Sequence, residues 1–378
     1  MSSRLSLVIL AAGRSSRFGK PVAKQWLRSG DDPLWKVVTE RLRGYGDFET
    51  CVVTTQPEDA EYMELYAPEG VRIVPGGAER QDSLRLALEA VESEYVLVTD
   101  VARACVDETL LRRLMDEMGT ADCIVPYLPV VDTTLLGSEA VDRDALKRIQ
   151  TPQLSRTALL KEALAASGRL FTDESTLIAA HGGKVSYVPG DEGAGKLTHG
   201  GDIRSLGCLK PPASHSFTGN GFDVHEFEVG RVMKLCGVTI DVDYGFKAHS
   251  DGDVGIHALV DALLGAAGAG DIGELFPDTD DTYKNADSAK LLEACLTRLW
   301  RYGFDVVHAD VTVIAQAPRL GAYKRAMRDR LAAILKLSPS RINVKATTTE
   351  KLGFVGRKEG VAVMATATLK YFDWMQQP

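Results

Sequence analysis

No stretch of this 378-residue sequence reaches the roughly 18 to 20 consecutive apolar residues that span a bilayer, so a membrane role has no support. Positive charge is also in deficit: 44 Lys and Arg against 52 Asp and Glu leave a formal net charge of −8. That balance argues against nonspecific binding to DNA or RNA, while local basic pockets for small anions stay open. Cysteine is sparse. The six, at 51, 105, 123, 208, 236 and 295, form no C-x-x-C pair and no dense cluster. Neither a disulfide framework nor a cysteine zinc site is therefore expected, and the usage reads as that of a reducing cytoplasm. Internal repeats and low-complexity tracts are missing too. Arg4 and the apolar run at 5–12 imitate a weak signal peptide, but the run is short and Arg14, Arg17 and Lys20 follow at once. A buried first strand is the better expectation.

The composition that remains, 45% hydrophobic and 25% charged, is that of a globular protein, and the length exceeds what one hydrophobic core usually serves. Short apolar runs at 5–11, 50–55, 71–75, 95–99 and 122–126 alternate with helical patterns near 34–43, 57–66, 80–91 and 107–118, which predicts a doubly wound α/β sheet. Ligands of such sheets bind at the carboxyl ends of the strands, here the loops after Leu10, Val74 and Thr99. Gly207, Pro211, Pro212, Ala213 and Ser214 then make a connector of poor propensity. The expected division is a first domain at 1–209, a linker at 210–216 and a smaller α+β domain at 217–378. Its strands are expected near 217–226, 231–240, 304–315, 342–347 and 361–369, and its helices near 250–268, 286–302 and 319–336.

Chemistry concentrates first in Asp223-Val224-His225 and the later His257. An Asp-x-His pair on an extended segment points both side chains to one face, and catalytic zinc typically takes three protein ligands and leaves a fourth position open. Isolated histidines are often only satisfied core or surface groups. The neighbouring AHSDGDVGIH at 248–257 and KATTTEKLGF at 345–354 add a second carboxylate and a run of hydroxyls. Ser250-x-x-Asp253 also reads as a capping box at the start of the helix bearing His257.

In the first half, VILAAGRSSRFGKPVAKQ at 8–25 is a strand followed by a loop with Gly13, Gly19, Arg14, Arg17, Lys20 and Lys24. Small residues let backbone amides approach a triphosphate, and the cations neutralise charge that builds up in phosphoryl or nucleotidyl transfer; a plain charged surface loop is the alternative. Polar sets follow later strands: Gly76-Gly77-Ala78-Glu79-Arg80-Gln81-Asp82-Ser83, then Asp100-Val101-Ala102-Arg103, where an acid at a strand end suits Mg²⁺ or a hydroxyl and an arginine suits a phosphate. Asp132-Thr133, Asp142-Arg143, Thr151-Pro152-Gln153, Thr172-Asp173-Glu174 and Lys196-Leu197-Thr198 complete the series. Gly190 to Lys196 nearly spells a P-loop, but Leu197 occupies the place of the Mg²⁺-binding Ser or Thr.

In these motifs and their order, residues 5–206 resemble 2-C-methyl-D-erythritol 4-phosphate cytidylyltransferase. The resemblance implies that Arg17, Lys24 and Lys196 hold the CTP phosphates and the transition state. It places Gly13, Gly77 and Ser83 in the nucleotide pocket, Asp100 and Arg103 at the strand end, and Thr133, Arg143 and Thr172 around methylerythritol phosphate. Thr133 and Arg143 would lie on an arm reaching a neighbouring subunit, which implies a dimer. Ser15 or Ser16 replaces a loop glycine of that family, Ala23 a proline, Ala78 an aspartate, and DVARA stands for DAARP.

From Gly219 to about Lys370, the motifs GFDVH, AHSDGDVGIHALVDALLGAAGAGDIGELFPDTD, DVTVIAQAPRL and NVKATTTEKLGFVGRKEG resemble 2-C-methyl-D-erythritol 2,4-cyclodiphosphate synthase. This implies Asp223, His225 and His257 as ligands of Zn²⁺ or a similar cation, and Glu350 as a ligand of Mg²⁺ or Mn²⁺ on a CDP group. Thr348, with Thr347 and Thr349, would stabilise the departing CMP; His249 and Ser250 would orient phosphate. Asp271 and the loop from Ala315 to Leu320 would form the nucleoside pocket, with Asp278 and Phe354 also at the substrate. Arg357 would face a cavity on a trimer axis. Together the halves imply a bifunctional, cytoplasmic enzyme of isoprenoid-precursor synthesis, assembled as a homo-oligomer in which trimers and dimers combine into a D3 hexamer. A separate ATP-dependent kinase must act between the two reactions. The alternative is a first half that is a degenerate nucleotide-binding scaffold, or a nucleotidyltransferase of another base preference.

Overall fold

The computed structural model describes residues 4–248, 250–277, 279 and 286–376. Two of the expected site residues, His249 and Asp278, lie outside them. The chain divides into two compact units, one running to Pro212 and including the chain from Asp373, the other spanning Ala213–Phe372. The stretch from Asp373, grouped by the sequence with the second domain, thus belongs to the first unit: Trp374 is buried there, and its indole N–H donates to the Arg28 carbonyl at 2.6 Å.

The first unit is built on an eight-stranded sheet. Leu5–Leu10, Cys51–Thr55, Val71–Pro75 and Tyr95–Asp100 run parallel, and Gln153–Arg156 lies antiparallel between Tyr95–Asp100 and Cys123–Pro129. Every residue of Leu5–Leu10 and Tyr95–Asp100 is buried, as an unbroken apolar run requires of a parallel strand covered on both faces. Register places Leu10 beside both Thr54 and Asp100. The loops leaving these strands therefore open on one edge. Helix Arg80–Leu88 begins there in a capping box formed by Glu79 and Asp82.

The cysteine expectation needs correction. Cys105 and Cys208 form a disulfide across 103 residues, with Cα atoms 5.6 Å apart. Spacing gave no sign of it because only the fold brings the loop after Tyr95–Asp100 beside the chain that leaves this unit. Arg41 ties the same place together, donating to the carbonyls of Ala104 and Cys208.

In the second unit the sheet order is Tyr244–Phe246, Ser216–Val229, Gly360–Tyr371, Phe304–Ile314 and Ile342–Thr347. Helix Val254–Ala267 packs on Ser216–Val229 at unusually close range. A Cβ on Gly221 would sit 1.9 Å from the Ala258 carbonyl oxygen, and one on Gly219 2.2 Å from that of Ala262. Glycine at these two positions is what lets helix and strand touch. Strand alternation then puts Asp223 and His225 on the helix side and Phe222 and Val224 on the opposite face.

Two local expectations shift. The strand expected near 231–240 is a tight hairpin, Met233–Leu235 against Val238–Ile240, because Cys236 and Gly237 both take positive φ, 53° and 74°, the geometry of a primed two-residue turn. The Ser250–Asp253 capping box does not form either. Gly252 at φ 76° breaks the chain direction, and Asp253 is itself the N-cap: it accepts from Ile256 N at 3.1 Å and also from Cys236 N and Gly237 N.

Two outcomes are expected from this packing. Alkylation of the denatured, unreduced protein should modify Cys51, Cys123, Cys236 and Cys295 and leave Cys105 and Cys208 protected; labelling of these two would contradict the disulfide. Gly221→Ala should destabilise the protein by about 1–3 kcal/mol through overpacking. An unchanged urea midpoint would show that the helix has slack there.

Candidate active sites

The first unit holds a cleft of about 280 Å³ at the carboxyl edge of its sheet. Of the residues expected at a site, Gly13, Arg17, Lys24, Gly77, Ser83, Asp100 and Lys196 line it. The loop that brings Gly13, Arg17 and Lys24 is shaped by Ser15, which stands in the left-handed region at φ 56°, where glycine is ordinarily favoured. Its hydroxyl accepts the Lys24 N–H at 3.0 Å, so this serine anchors the lysine end of the loop. Ala23 is extended at φ −76°, a conformation that proline shares. Ser83 works on the backbone: it accepts from Gly77 N and donates to the Glu79 carbonyl, both at 3.1 Å.

The floor of the cleft is an ion network. Lys196 Nζ lies 2.6 Å from Asp100 Oδ2, Arg80 Nε 3.0 Å from Asp100 Oδ1, and Arg80 Nη1 2.6 Å from Glu174 Oε1. Burial pushes the Asp100 carboxyl up, but Arg80 and Lys196 outweigh it and hold the group at about 2. Glu174 is fully buried, and burial pushes it above its ordinary range against the pull of Arg80. Lys24 is pushed down, first by burial and then by the charges of Arg17 and Lys196. The cleft thus carries crowded positive charge above the ionised Asp100.

Other expected residues lie elsewhere. Arg103 is a buried brace that donates to Ala194 O at 2.7 Å and Thr151 Oγ1 at 3.2 Å. Leu197 is buried, and its N–H donates to Ala102 O at 2.8 Å; these bonds fix the segment carrying Lys196, and no P-loop helix follows. Thr172 precedes the Asp173 N-cap of helix Glu174–Ala180. Thr133 and Arg143 flank the hairpin Thr134–Leu136 and Glu139–Val141, away from the cleft. Arg80 and Glu174 carried no assignment in the sequence. Both sit inside noted motifs, but only the fold makes the pair a buried one.

In the second unit, Asp223, His225 and His257 offer ligand atoms that all lie within 4.8 Å of one another. Asp223 Oδ2 is 3.1 Å from His225 Nε2 and 3.2 Å from His257 Nδ1. His225 Nδ1 is 3.0 Å from the Gly252 carbonyl, so Nδ1 carries a proton and Nε2 is the nitrogen that faces the cluster. Burial pushes Asp223 up, yet the two imidazoles hold it well below the usual carboxylate range. His225 is raised: burial lowers it, and Asp223 more than compensates. One ionised carboxylate and two oriented imidazoles suit an open zinc site.

Around this cluster, Ser250 Oγ stands 3.2 Å from His257 Nε2. Glu350, at φ 52°, accepts from Thr348 Oγ1 at 3.1 Å and does not join the three-residue cluster. Asp271 caps the short helix Ile272–Leu275. Ala315 and Leu320 are buried, Phe354 is exposed, and Arg357 pairs with Glu359 at 2.8 Å. Ser288, Asp251 and Lys234, which the sequence left unassigned, form a hydrogen-bonded series behind His257.

Residues 5–206 match the family model of 2-C-methyl-D-erythritol 4-phosphate cytidylyltransferase, and residues 217–370 that of the YgbB family. The chain is 52% identical to a bifunctional enzyme IspD/IspF of Campylobacter concisus over 98% of its own length and 99% of that protein. It is 54% identical to the enzyme of that name from Campylobacter lari, over 98% and 99%. The solved bifunctional IspDF from Campylobacter jejuni superposes with a TM-score of 0.92 at 50% identity, covering 99% of this chain and all of that one. A match of this extent, through both halves in the same order, means that the chain belongs to the bifunctional IspD/IspF enzymes of isoprenoid biosynthesis, a cytidylyltransferase followed by a cyclodiphosphate synthase.

Proposed function

We propose that the cleft of the first unit transfers CMP from CTP to 2-C-methyl-D-erythritol 4-phosphate, and that the second unit closes 4-diphosphocytidyl-2-C-methyl-D-erythritol 2-phosphate into the 2,4-cyclodiphosphate. The observation that carries the first half is the convergence of Arg17, Lys24 and Lys196 on one cleft. A phosphate oxygen of the acceptor attacks the α-phosphorus of CTP, and the bond to pyrophosphate breaks. Three fixed cations neutralise the charge that spreads over the transferred group and the leaving group. The lowered Lys24 is the mark of a positive site awaiting a polyanion. Asp100, held ionised by Arg80 and Lys196, would serve a Mg²⁺ that arrives with the nucleotide by exchanging one of those partners for it.

The second half rests on the Asp223, His225 and His257 cluster, read as the holder of zinc, with Glu350 as a ligand of Mg²⁺ or Mn²⁺. Bound there, the cations would draw charge from the phosphates of the CDP group. The nucleophile is the substrate's own 2-phosphate, already anionic, so the residues have no proton to remove. Their task is positioning: Ser250 and Thr348 offer hydroxyls where phosphate oxygens must be aligned, attack on the β-phosphorus forms the ring, and CMP leaves.

Assembly follows from surfaces left apolar. Phe222 is 58% exposed and Met364, its register partner on the neighbouring strand, 51%; on the hairpin of the first unit Leu136 is 79% exposed. Such patches mark interfaces, which supports trimers through the second unit and dimers through the first, closing as a D3 hexamer. A cytoplasmic location belongs to the same reading. Among the described residues no helix is long and apolar enough to cross a membrane.

Four results test this reading. Asp223→Asn should abolish cyclisation and zinc binding while pyrophosphate release by the first unit persists; loss of both in a folded protein would defeat the two-site assignment. Lys24→Met should lower kcat for pyrophosphate release by about 100-fold or more, with CTP and the other nucleoside triphosphates compared in the same assay to expose any other base preference. Phe222→Glu should reduce a hexamer to dimers in sedimentation; a fully active parental monomer would refute the assembly. Finally, the first product lacks the 2-phosphate that the second reaction needs. The protein with methylerythritol phosphate, CTP, ATP, Zn²⁺ and Mg²⁺ should therefore stop at the cytidylyl ester until a kinase is added.

A further inference from the structure

Behind the cluster of the second unit, the side chains of Ser288, Asp251 and Lys234 follow His257 in series. His257 Nε2 is 3.0 Å from Ser288 Oγ. Ser288 Oγ donates to Asp251 Oδ1, and Asp251 Oδ2 accepts from Lys234 Nζ at 3.0 Å. Ser288 is fully buried at the first turn of helix Ser288–Arg301. Asp251 is further pinned by its own N–H, which donates to the Ala286 carbonyl at 3.1 Å.

A serine hydroxyl has one proton, and here it is committed to a carboxylate, which can only accept. Ser288 Oγ therefore turns a lone pair toward His257. Two lone pairs at 3.0 Å would repel, so His257 Nε2 carries a proton, and Nδ1, the nitrogen facing Asp223 Oδ2 at 3.2 Å, is the one left for a metal ion. Ser250 fits the same bookkeeping: its oxygen accepts from Gly252 N at 3.1 Å and faces the same Nε2–H at 3.2 Å, which leaves its own proton free to point outward at a phosphate oxygen.

We propose that Lys234, Asp251 and Ser288 are positioning residues that hold His257 in the Nε2–H tautomer and so present Nδ1 as a metal ligand. Neither Asp251 nor Ser288 reaches the metal; they act through the imidazole. Lys234 acts one step further out, by securing Asp251. This inference rests on the assignment of Asp223, His225 and His257 as metal ligands.

The test uses the full-length protein and has two readouts besides activity: zinc affinity by chelator competition, and the ¹H–¹⁵N signal of His257 Nε2 in the zinc-bound protein. Ser288→Ala should weaken zinc by about 10- to 100-fold, the usual cost of losing a partner behind a ligating histidine, and Ser288→Thr should restore most of it. Asp251→Ala is the sharper variant. It frees the Ser288 proton to compete for Nε2, so zinc should weaken and the Nε2–H signal of the zinc-bound protein should lose its hydrogen-bonded downfield shift while the helix itself stays folded. Lys234→Met should fall between Asp251→Ala and the parent protein. If the parent binds no zinc, or Asp223→Asn binds it equally well, the ligand assignment itself fails. If the parent binds zinc through that cluster and Ser288→Ala and Asp251→Ala match it in affinity and in the Nε2–H signal, the positioning role is overturned.

Discussion

Each half of this chain depends on a buried carboxylate that stays ionised because positive or proton-donating groups are held against it before any substrate arrives. Taking a charge out of water costs several kcal/mol, and the charge survives only where Coulomb attraction and hydrogen bonds exceed that cost. Asp100 survives between Arg80 and Lys196, and Asp223 between two imidazoles. The consequence for Asp100 is mechanical as much as electrostatic. Arg80 reaches Asp100 and Glu174 at once, so the start of helix Arg80–Leu88, the end of strand Tyr95–Asp100 and the start of helix Glu174–Ala180 are tied at one charged knot. Removing Arg80 would strand two buried acids, which makes it a structural member of the site as well as a wall of the cleft.

Close backbone approach does the corresponding work in the second unit. Gly219 and Gly221 remove side chains where helix Val254–Ala267 crosses strand Ser216–Val229, and only at that range does an imidazole from the helix reach a carboxylate on the strand. Asp253 fixes the helix at its origin by gathering the N–H groups of Cys236, Gly237 and Ile256. The fully buried acid is thus spent on the turn and the cap, which leaves Ser250 free of capping and within reach of His257.

Much of this was legible in the sequence. Period and apolar runs locate the strands of both sheets because burial on both faces leaves an unbroken pattern, as in Leu5–Leu10, and burial on one face an alternating one, as in Phe304–Ile314. The grouping of Asp223, His225 and His257 was legible because two of them share a strand face and the third lies in the first turn of a helix. What escaped was long-range and paired. The Cys105–Cys208 bridge and the Arg80–Glu174 contact join positions 103 and 94 residues apart, and no local pattern marks either end. Ser288 escaped for another reason: an Asp-Ser at a helix start is ordinary capping chemistry, and its second duty exists only because Asp251 takes its proton.

The two units meet the same difficulty, excess negative charge on phosphate, with different means, and the geometry suggests why. In the first reaction the acceptor and the triphosphate arrive as separate molecules, and on the proposed assignment a cleft lined by long cationic side chains would both gather them and neutralise the transition state. In the second, nucleophile and electrophile are phosphates of one substrate, already tethered, and gathering has little left to contribute. What remains is repulsion between an anionic nucleophile and an anionic target, which a divalent charge opposes more strongly per contact than a lysine does. A compact set of neutral and anionic ligands fixed on a strand and a helix is the arrangement that such a charge requires. Rigid secondary structure, rather than the turn and loop segments that carry Lys24 and Lys196, is accordingly where Asp223, His225 and His257 are found.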